Sequence, residues 1–255
     1  SEGRDARGLF PALPFGSAGA ILRRMLEALY RNEDILVLDK PAGLAVQPGA
    51  GIRNSLVEAV EAQFGFRPFL IHRLDRDTAG CIVVARSSRA ASLYSRIMAD
   101  KERCEKVYRA AAAGVPESRT GIIRDEIRTP SGPRRAETRW RLLASGRGFS
   151  LLELELGTGR MHQIRIHLAG RGHPILGDDR HGDFSLNKRL AKEYGLKRLL
   201  LYAARLSLRT DPPIRVEAPV PSHFRSFAAA LGDPEFTAAL GLELPPPMPG
   251  AEGGG

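Results

Sequence analysis

The chain has 255 residues and a mass of 27.8 kDa, enough for one large domain with a complete hydrophobic core. Hydrophobic residues make up 43% and charged residues 26%, which is ordinary for a globular protein and excludes a disordered one. No apolar run reaches the roughly 18 residues of a membrane span, so we expect a cytoplasmic protein without a membrane partner. Cys81 and Cys104 lack the spacing of a zinc site or a disulfide framework and are predicted to be free thiols.

The charge balance points to a polyanionic partner. There are 38 Lys and Arg residues against 29 Asp and Glu residues, which gives a net charge of +9 and an isoelectric point near 10.0. Such an excess is typical of proteins that bind nucleic acid. Arginines that only solvate a surface would give the same balance, so charge leaves both interpretations open.

The ends of the chain differ in composition from its body. Residues 1–18 are rich in Gly, Pro and Ala, and residues 244–255 form a Pro/Gly tail. Both are predicted to be flexible arms, with one folded domain over residues 19–243.

The predicted strands and helices do not follow a regular βαβ repeat. In chain order they are a strand at 35–38, a helix at 55–64 with an Asn54 or Ser55 cap, a strand at 81–85, a helix at 90–98, strands at 106–113, 137–144 and 149–156, a helix at 161–168, a strand at 199–208, and helices at 224–231 and 235–240. The strands come in runs with helices inserted between them. This order predicts an α+β fold with a mixed, largely antiparallel central sheet flanked by helices.

A dense group of charged residues precedes the strand at 81–85. The segment 72–80 reads His-Arg-Leu-Asp-Arg-Asp-Thr-Ala-Gly. By itself Asp75 resembles an ordinary turn carboxylate that binds nearby backbone amides. Its position between Arg73 and Arg76 favours a second interpretation, because adjacent cations keep a partly buried carboxylate ionised and able to act as a nucleophile or base.

A second polar group follows the strand at 149–156. The segment 157–168 reads Gly-Thr-Gly-Arg-Met-His-Gln-Ile-Arg-Ile-His-Leu. On a helix Met161, Arg165 and Leu168 share one face, so Arg165 is predicted to point toward the apolar side. A buried guanidinium requires a carboxylate, and we expect Asp75 to be that partner. The alternative is a surface arginine whose aliphatic stem packs on the helix.

Four segments, taken in order, resemble the motifs of the RluA family of pseudouridine synthases. They are residues 35–43 (Ile-Leu-Val-Leu-Asp-Lys-Pro-Ala-Gly), 72–80, 105–108 (Glu-Lys-Val-Tyr) and 158–165. The resemblance implies the pseudouridine synthase catalytic fold with a central basic cleft. It also implies isomerisation of uridine to pseudouridine in structured RNA, with ribosomal RNA favoured over transfer RNA.

The resemblance also implies roles for individual residues. Asp75 matches the essential aspartate, which acts by attack on the ribose, attack on the base, or elimination to a glycal. Tyr108 matches the tyrosine that stacks on the target base, and Arg165 the basic residue paired with the aspartate. Arg73 matches a position that enters the RNA in place of the flipped base, and Ile164 or a nearby aliphatic residue would form the apolar wall below the base. The remaining predicted substrate or RNA contacts are His72, Arg76, Thr78, Arg160, His162 and Gln163. No cofactor, metal or obligatory protein partner is implied.

Three departures from the family pattern stand out. Ala79 replaces the usual serine before the motif glycine, and Tyr202 stands where relatives commonly carry histidine, which leaves the role of that position open. Many relatives begin with a small S4 RNA-binding module, and the first 20 residues here are too short to contain one.

Two other functions compete with the isomerase. A metal-dependent hydrolase would use the cluster His162, His167, His173, Asp178, Asp179 and His181, but His162 and His167 are five residues apart, unlike the four-residue spacing of helical zinc motifs. Residues 173–181 are instead predicted to form a strand and a polar loop near the RNA. A non-catalytic RNA-binding module is the second alternative, and the presence of Asp75, Tyr108 and Arg165 together argues against it.

Overall fold

The computed structural model describes residues 26–49, 51 and 54–243. The strands are β1 (Glu27–Arg31), β2 (Ile35–Lys40), β3 (Phe69–Leu70), β4 (Ala79–Ala85), β5 (Cys104–Ala113), β6 (Thr120–Thr129), β7 (Gly132–Gly146), β8 (Phe149–Leu156), β9 (Leu201–Leu208) and β10 (Ile214–Glu217). The helices are α1 (Leu56–Phe64), α2 (Ser88–Ala99), α3 (Gln163–Gly170), α4 (Phe184–Glu193), α5 (Ser222–Leu231) and α6 (Pro234–Ala239). The two predicted flexible arms lie outside the described residues.

The ten strands form one sheet, whose main path runs β1-β2-β4-β9-β5-β8-β7-β6, with β3 paired to β4 and β10 paired to β9. Within the described part of the chain, β4 and β9 are the one parallel pair of named strands, and the other pairings are antiparallel. The prediction of a mixed, largely antiparallel sheet flanked by helices is therefore confirmed.

Gly80 permits the parallel junction between β4 and β9. It has a φ of +98°, and a Cβ atom there would overlap the backbone carbonyl of Ala203. A residue with a side chain would suffer both from the left-handed backbone and from this close approach. Ala203 is paired with Gly80 on one side and with Tyr108 of β5 on the other. The glycine thereby brings the segment before β4 to within two strand spacings, about 10 Å, of Tyr108.

The sheet separates two hydrophobic clusters. The first contains the interior of β2 and β4, helix α2, Tyr108 and Ile164. The second contains Tyr202, helices α5 and α6, and the alternate residues of β8 such as Leu151. Alternate residues of one strand enter opposite clusters because successive side chains point to opposite faces of a sheet. Cys81 and Cys104 are both free thiols, as predicted.

Helix α1 begins where its predicted capping residue places it. Ser55 caps α1 in a capping box, in which its hydroxyl accepts the Glu58 N–H and the Glu58 carboxylate accepts the Ser55 N–H. Helix α3 begins at Gln163, and Met161, predicted to lie on its buried face, is 55% exposed because it precedes the helix.

The predicted strand within residues 173–181 is wrong. That stretch is an irregular loop, and its one ladder contact is an isolated bridge between Ile175 and Ala112. The sequence interpretation also missed β1, β3, β6, β10 and α4. No helix in the described ranges is long and apolar enough to cross a membrane.

Candidate active site

Asp75 lies in a tight turn between β3 and β4. Its backbone carbonyl accepts the Thr78 N–H at 3.2 Å, which closes the turn, and the next carbonyl, that of Arg76, accepts the Gly43 N–H at 2.8 Å. Thr78 is buried below the turn. The turn's own hydrogen bond and a bond to the loop at Gly43 therefore hold the backbone around Asp75.

The side chain of Lys40 also holds this turn in place. Its side chain is completely buried at the end of β2, and Nζ donates to the carbonyls of Pro41, Leu44 and Arg76 at 3.0, 2.9 and 2.9 Å. Burial lowers the pKa of Lys40 to about 7, against the opposing effect of the nearby carboxylates of Asp77 and Asp75. Sequence reasoning did not select Lys40 as a site residue, although a lysine that ends a buried strand is itself an unusual signal.

The Asp75 carboxylate faces two basic side chains from the start of α3. Its Oδ2 atom lies 3.6 Å from Nη1 of Arg165 and 3.7 Å from Nε2 of His162. The Asp75 side chain is 18% exposed, so it remains accessible from outside. The predicted approach of Arg165 to Asp75 is present. Of the two arginines that flank Asp75 in the chain, Arg76 pairs with Asp77 at 3.4 Å instead.

The main partner of Arg165 is Asp178, which the sequence analysis had assigned to the competing metal cluster. Nε of Arg165 donates to Oδ2 of Asp178 at 2.8 Å and Nη2 donates to Oδ1 at 2.6 Å, while Asp179 accepts a weaker contact at 3.3 Å. Burial acts to raise the pKa of Asp178, but the bonds from Arg165 and from the backbone N–H groups of His181 and Arg180 hold it below its usual value. Both groups therefore stay charged at neutral pH.

His162 connects Asp75 to the loop after α3. Its Nδ1 lies 2.9 Å from Nε2 of His181, and the two rings meet edge to face. Burial is the main cause that lowers the pKa of His162, and the charge of Asp75 opposes it. When His181 Nε2 carries the shared proton, His162 is left with an Nε2–H that faces the carboxylate.

Gln163 fixes the turn that precedes α3. Its side-chain oxygen accepts the Thr158 hydroxyl at 2.6 Å and the Arg160 N–H at 3.1 Å. Its side-chain nitrogen donates to the Glu137 carbonyl at 2.8 Å and to the Thr138 hydroxyl at 3.0 Å. All the polar atoms of this buried amide are thus engaged within the protein, and His162 just before it adopts a φ of +54°.

Tyr108 contributes an aromatic group from the neighbouring strand. It is buried on β5, in the same hydrophobic cluster as Ile164 and as Leu74, the residue before Asp75. Burial is the main cause that raises the pKa of its phenol, and the negative charge of Asp75 adds to it. The phenol therefore keeps its proton at neutral pH, and the electrostatic effect reflects the proximity of Tyr108 to Asp75.

The other predicted contacts divide into exposed and internal residues. Arg73, Arg76 and Arg160 are exposed. His72 is turned inward, where its Nε2 accepts the Val83 N–H at 2.9 Å, and burial lowers its pKa to about 3.

Tyr202 lies on the other side of the sheet. It is 1% exposed, belongs to the second hydrophobic cluster, and packs edge to face on Phe224 with ring centroids 4.9 Å apart. The position that departs from the family pattern therefore contributes to the cluster opposite that of Tyr108, and its backbone pairs with Ala79 of β4. Within the part of the chain that the structure describes, no group of three or more His, Cys, Asp or Glu residues is arranged to hold a metal ion.

Comparison with known proteins gives the family. The family described as RNA pseudouridylate synthase matches residues 34–170, a stretch that includes Asp75, Tyr108 and Arg165. The chain belongs to this family. It is accordingly an isomerase that converts uridine in RNA to pseudouridine, which confirms the function implied by the motifs.

Three bacterial relatives cover most of the chain. An uncharacterised RNA pseudouridine synthase of Zymomonas mobilis is 35% identical over 77% of this chain and 94% of its own length. The ribosomal large subunit pseudouridine synthase C of Vibrio cholerae is 31% identical over 76% of this chain and 66% of its own length. The tRNA pseudouridine synthase C of Yersinia pestis is 32% identical over 76% of this chain and 84% of its own length.

A solved structure supports the fold. Human RNA pseudouridylate synthase domain containing 4 superposes with a TM-score of 0.67 at 24% sequence identity, over 86% of this chain and 94% of that chain. The predicted pseudouridine synthase fold is thereby confirmed.

Proposed function

We propose that Asp75 is the carboxylate that carries out the isomerisation, with Arg165 as its counter-ion and Tyr108 as the aromatic group that stacks on the target base. The observation that carries this proposal is the setting of Asp75, whose carboxylate is 18% exposed and lies 3.6 Å from the buried guanidinium of Arg165. The guanidinium places a positive charge beside this carboxylate, and the exposed part of its side chain leaves it accessible to a nucleoside.

The reaction requires one carboxylate only. The bond from ribose C1′ to N1 of uracil breaks, the base rotates, C1′ bonds to C5, and the proton of C5 leaves while N1 gains one. A covalent or glycal intermediate retained by the enzyme needs no second carboxylate at hydrolase spacing. Attack on the ribose or on the base would use Asp75 as a nucleophile, and elimination to a glycal would use it as the base that removes the C2′ proton; all three routes use its free carboxylate oxygens.

The hydrophobic surroundings suit a detached base. Tyr108 and Ile164 belong to one buried cluster beside the Asp75 turn. Apolar walls would exclude water while the glycosidic bond is open, which prevents hydrolysis. Because the phenol of Tyr108 keeps its proton, we propose that it stacks and donates and does not act as a phenolate.

The exposed arginines around the turn would hold the RNA within a basic cleft. Arg73 and Arg76 flank Asp75 in the chain, and Arg160 precedes α3. Cations at these positions would contact the phosphates on either side of a flipped nucleotide, and Arg73 would occupy the space that the base has left.

The substitution Asp75→Asn tests the proposed catalytic role. Loss of the charge should lower the isomerisation rate at least about hundredfold, while RNA affinity stays within about twofold because the amide preserves the shape of the site. The rate is followed by release of tritium from C5 of labelled uridine in RNA, and affinity by filter binding.

The control for that substitution is Asp125→Asn, which removes a solvent-accessible carboxylate of β6 that pairs with Arg171 at 3.0 Å. It should retain most of the activity. Full activity in Asp75→Asn would show that another group carries out the chemistry.

We propose ribosomal RNA as the substrate, acted on in the cytoplasm without a protein partner, and transfer RNA as the second candidate. The relatives from Vibrio cholerae and Yersinia pestis, named for ribosomal and transfer RNA respectively, are about equally similar to this chain. Pseudouridine mapping in RNA from a strain that lacks the protein should reveal missing sites in large-subunit ribosomal RNA, restored by the purified chain alone. Missing sites confined to transfer RNA would favour the second candidate.

A further inference from the structure

Asp178 binds two nitrogens of the Arg165 guanidinium that would otherwise be free to bind Asp75. Its carboxylate is completely buried and binds Nε and Nη2 of Arg165 at 2.8 and 2.6 Å, a bidentate arrangement. Only Nη1 is left to face Asp75, at the longer distance of 3.6 Å. Arg165 therefore provides a positive charge near Asp75 but does not form a bidentate pair with its two carboxylate oxygens.

The same carboxylate also organises the second group that faces Asp75. Oδ1 of Asp178 accepts the backbone N–H of Arg180 at 2.9 Å and that of His181 at 3.0 Å. These bonds fold the loop so that His181 lies 2.9 Å from His162, whose Nε2 is 3.7 Å from Asp75. Both routes from the loop to Asp75 thus begin at one buried side chain.

The loop around Asp178 is built to stay in place. The side chain of Asn187 donates to the Asp178 carbonyl at 2.8 Å and accepts the Gly177 N–H at 2.8 Å, which ties the loop to α4. A Cβ atom at Gly177 would overlap the Arg198 carbonyl, and one at Gly182 would overlap the Asp178 carbonyl. Close packing of this kind is what a positioning residue requires, because errors near 1 Å at a reacting group can cost about a hundredfold in rate.

We propose that Asp178 is a positioning residue for the reaction. It holds Arg165 and the His181–His162 pair next to Asp75, in positions where neither of them binds both carboxylate oxygens. This inference rests on the proposed catalytic role of Asp75. Without Asp178 the freed guanidinium would turn to Asp75 and bind it in a bidentate pair, which would occupy the oxygens that must reach the nucleoside.

The test compares Asp178→Asn with Asp179→Asn. The neighbour is a matched control, because it also contacts Arg165, at 3.3 Å, but its side chain is 67% exposed. Asp178→Asn should lower kcat about 10- to 100-fold, as loss of a supporting residue does at other sites, with KM and RNA affinity within about twofold. Asp179→Asn should leave kcat within about twofold.

A double-mutant cycle separates positioning from a general loss of structure. If Asp178 acts through Arg165 and the histidine pair, adding Asp178→Asn to Arg165→Lys should slow the reaction by no more than the roughly three- to tenfold effect of the second route. Rate losses that multiply, or a loss expressed in KM with kcat unchanged, would overturn the proposal.

A variant of His181 tests the second route to Asp75 independently, even if Asp178→Asn does not fold. His181→Phe keeps an aromatic ring but removes the nitrogen that contacts His162, so it breaks the second route without leaving a buried charge unpaired. The kcat of this variant should fall about three- to tenfold. An unchanged kcat in this variant would overturn the two-route proposal. Inactive Asp75→Asn together with fully active, folded Asp178→Asn would overturn this inference alone, whereas active Asp75→Asn would remove the proposed function as well.

Discussion

At the scale of the residue, His72 shows how a side chain can complete a β-ladder. Strand β3 pairs with Ala85 and Val84 of β4 and ends after Leu70. The next free N–H on β4, that of Val83, is taken by the His72 ring, which must be neutral to accept it. Its pKa is lowered to about 3 by burial and by the charge of Lys106.

This histidine should make the protein sensitive to acid. The ordinary pKa of 6.5 applies to the unfolded chain and the value of about 3 to the folded one, so between these values the unfolded state binds more protons. The stability due to neutral His72 is therefore complete above pH 6.5 and is lost as the pH falls toward 3.

In His72→Gln the amide oxygen can accept the same N–H but does not titrate. Relative to this variant, wild type should lose up to ~1.4 kcal/mol of unfolding free energy for each pH unit below the ordinary histidine pKa. Urea titrations at pH 7, 6 and 5 measure the difference, and parallel pH curves would contradict it.

At the scale of the element, the junction of β4 with β9 decides where the site forms. The parallel contact at Gly80 joins the Asp75 turn to the strand that neighbours Tyr108. The junction depends on the missing side chain of one glycine, because the Ala203 carbonyl occupies the space of a Cβ atom.

Gly80→Ala should therefore destabilise the protein more than Gly132→Ala. The two glycines have nearly equal φ values, +98° and +99°, but no atom lies within 4 Å of a Cβ placed on Gly132. Backbone strain of roughly 1–3 kcal/mol applies to both, and only Gly80→Ala adds the overlap with Ala203. Chemical denaturation measures the two losses. Equal losses would show that β4 and β9 can separate to accept the methyl group.

At the scale of the whole molecule, the excess of basic residues should appear as salt dependence. The net charge of +9 predicts RNA binding that weakens at least about tenfold between 50 and 200 mM salt, as counterions compete for the phosphates.

Arg160→Gln should reduce the slope of log affinity against log salt by about one, since one phosphate contact is lost. The control is Arg67→Gln, which is also exposed and pairs with Glu61 of α1 at 3.5 Å. Its slope should match wild type. A slope unchanged by Arg160→Gln would place this residue outside the phosphate contacts.

Elements with strong local patterns could be predicted from the sequence alone. The buried run of β4, the alternation of β8 and the cap of α1 were all predicted, because neighbouring residues specify them. Helix α4 was missed because Leu186 and Leu190 are its only buried side chains, a narrow stripe that gives little periodicity. Strand β6 was missed because it buries only Ile123 and Ile127, a spacing that fits a helix as well as a strand.

The motifs likewise named the residues of the proposed site but not how they are held. Asp75, Tyr108 and Arg165 were named from the chain, and the structure brings their segments together. Only the tertiary structure decided that Asp178 holds Arg165 and that Lys40 holds the Asp75 turn. The physical reason is that a buried charge takes its partner from whatever the fold places within about 3 Å, and residues far apart in the chain carry no local signal of that pairing.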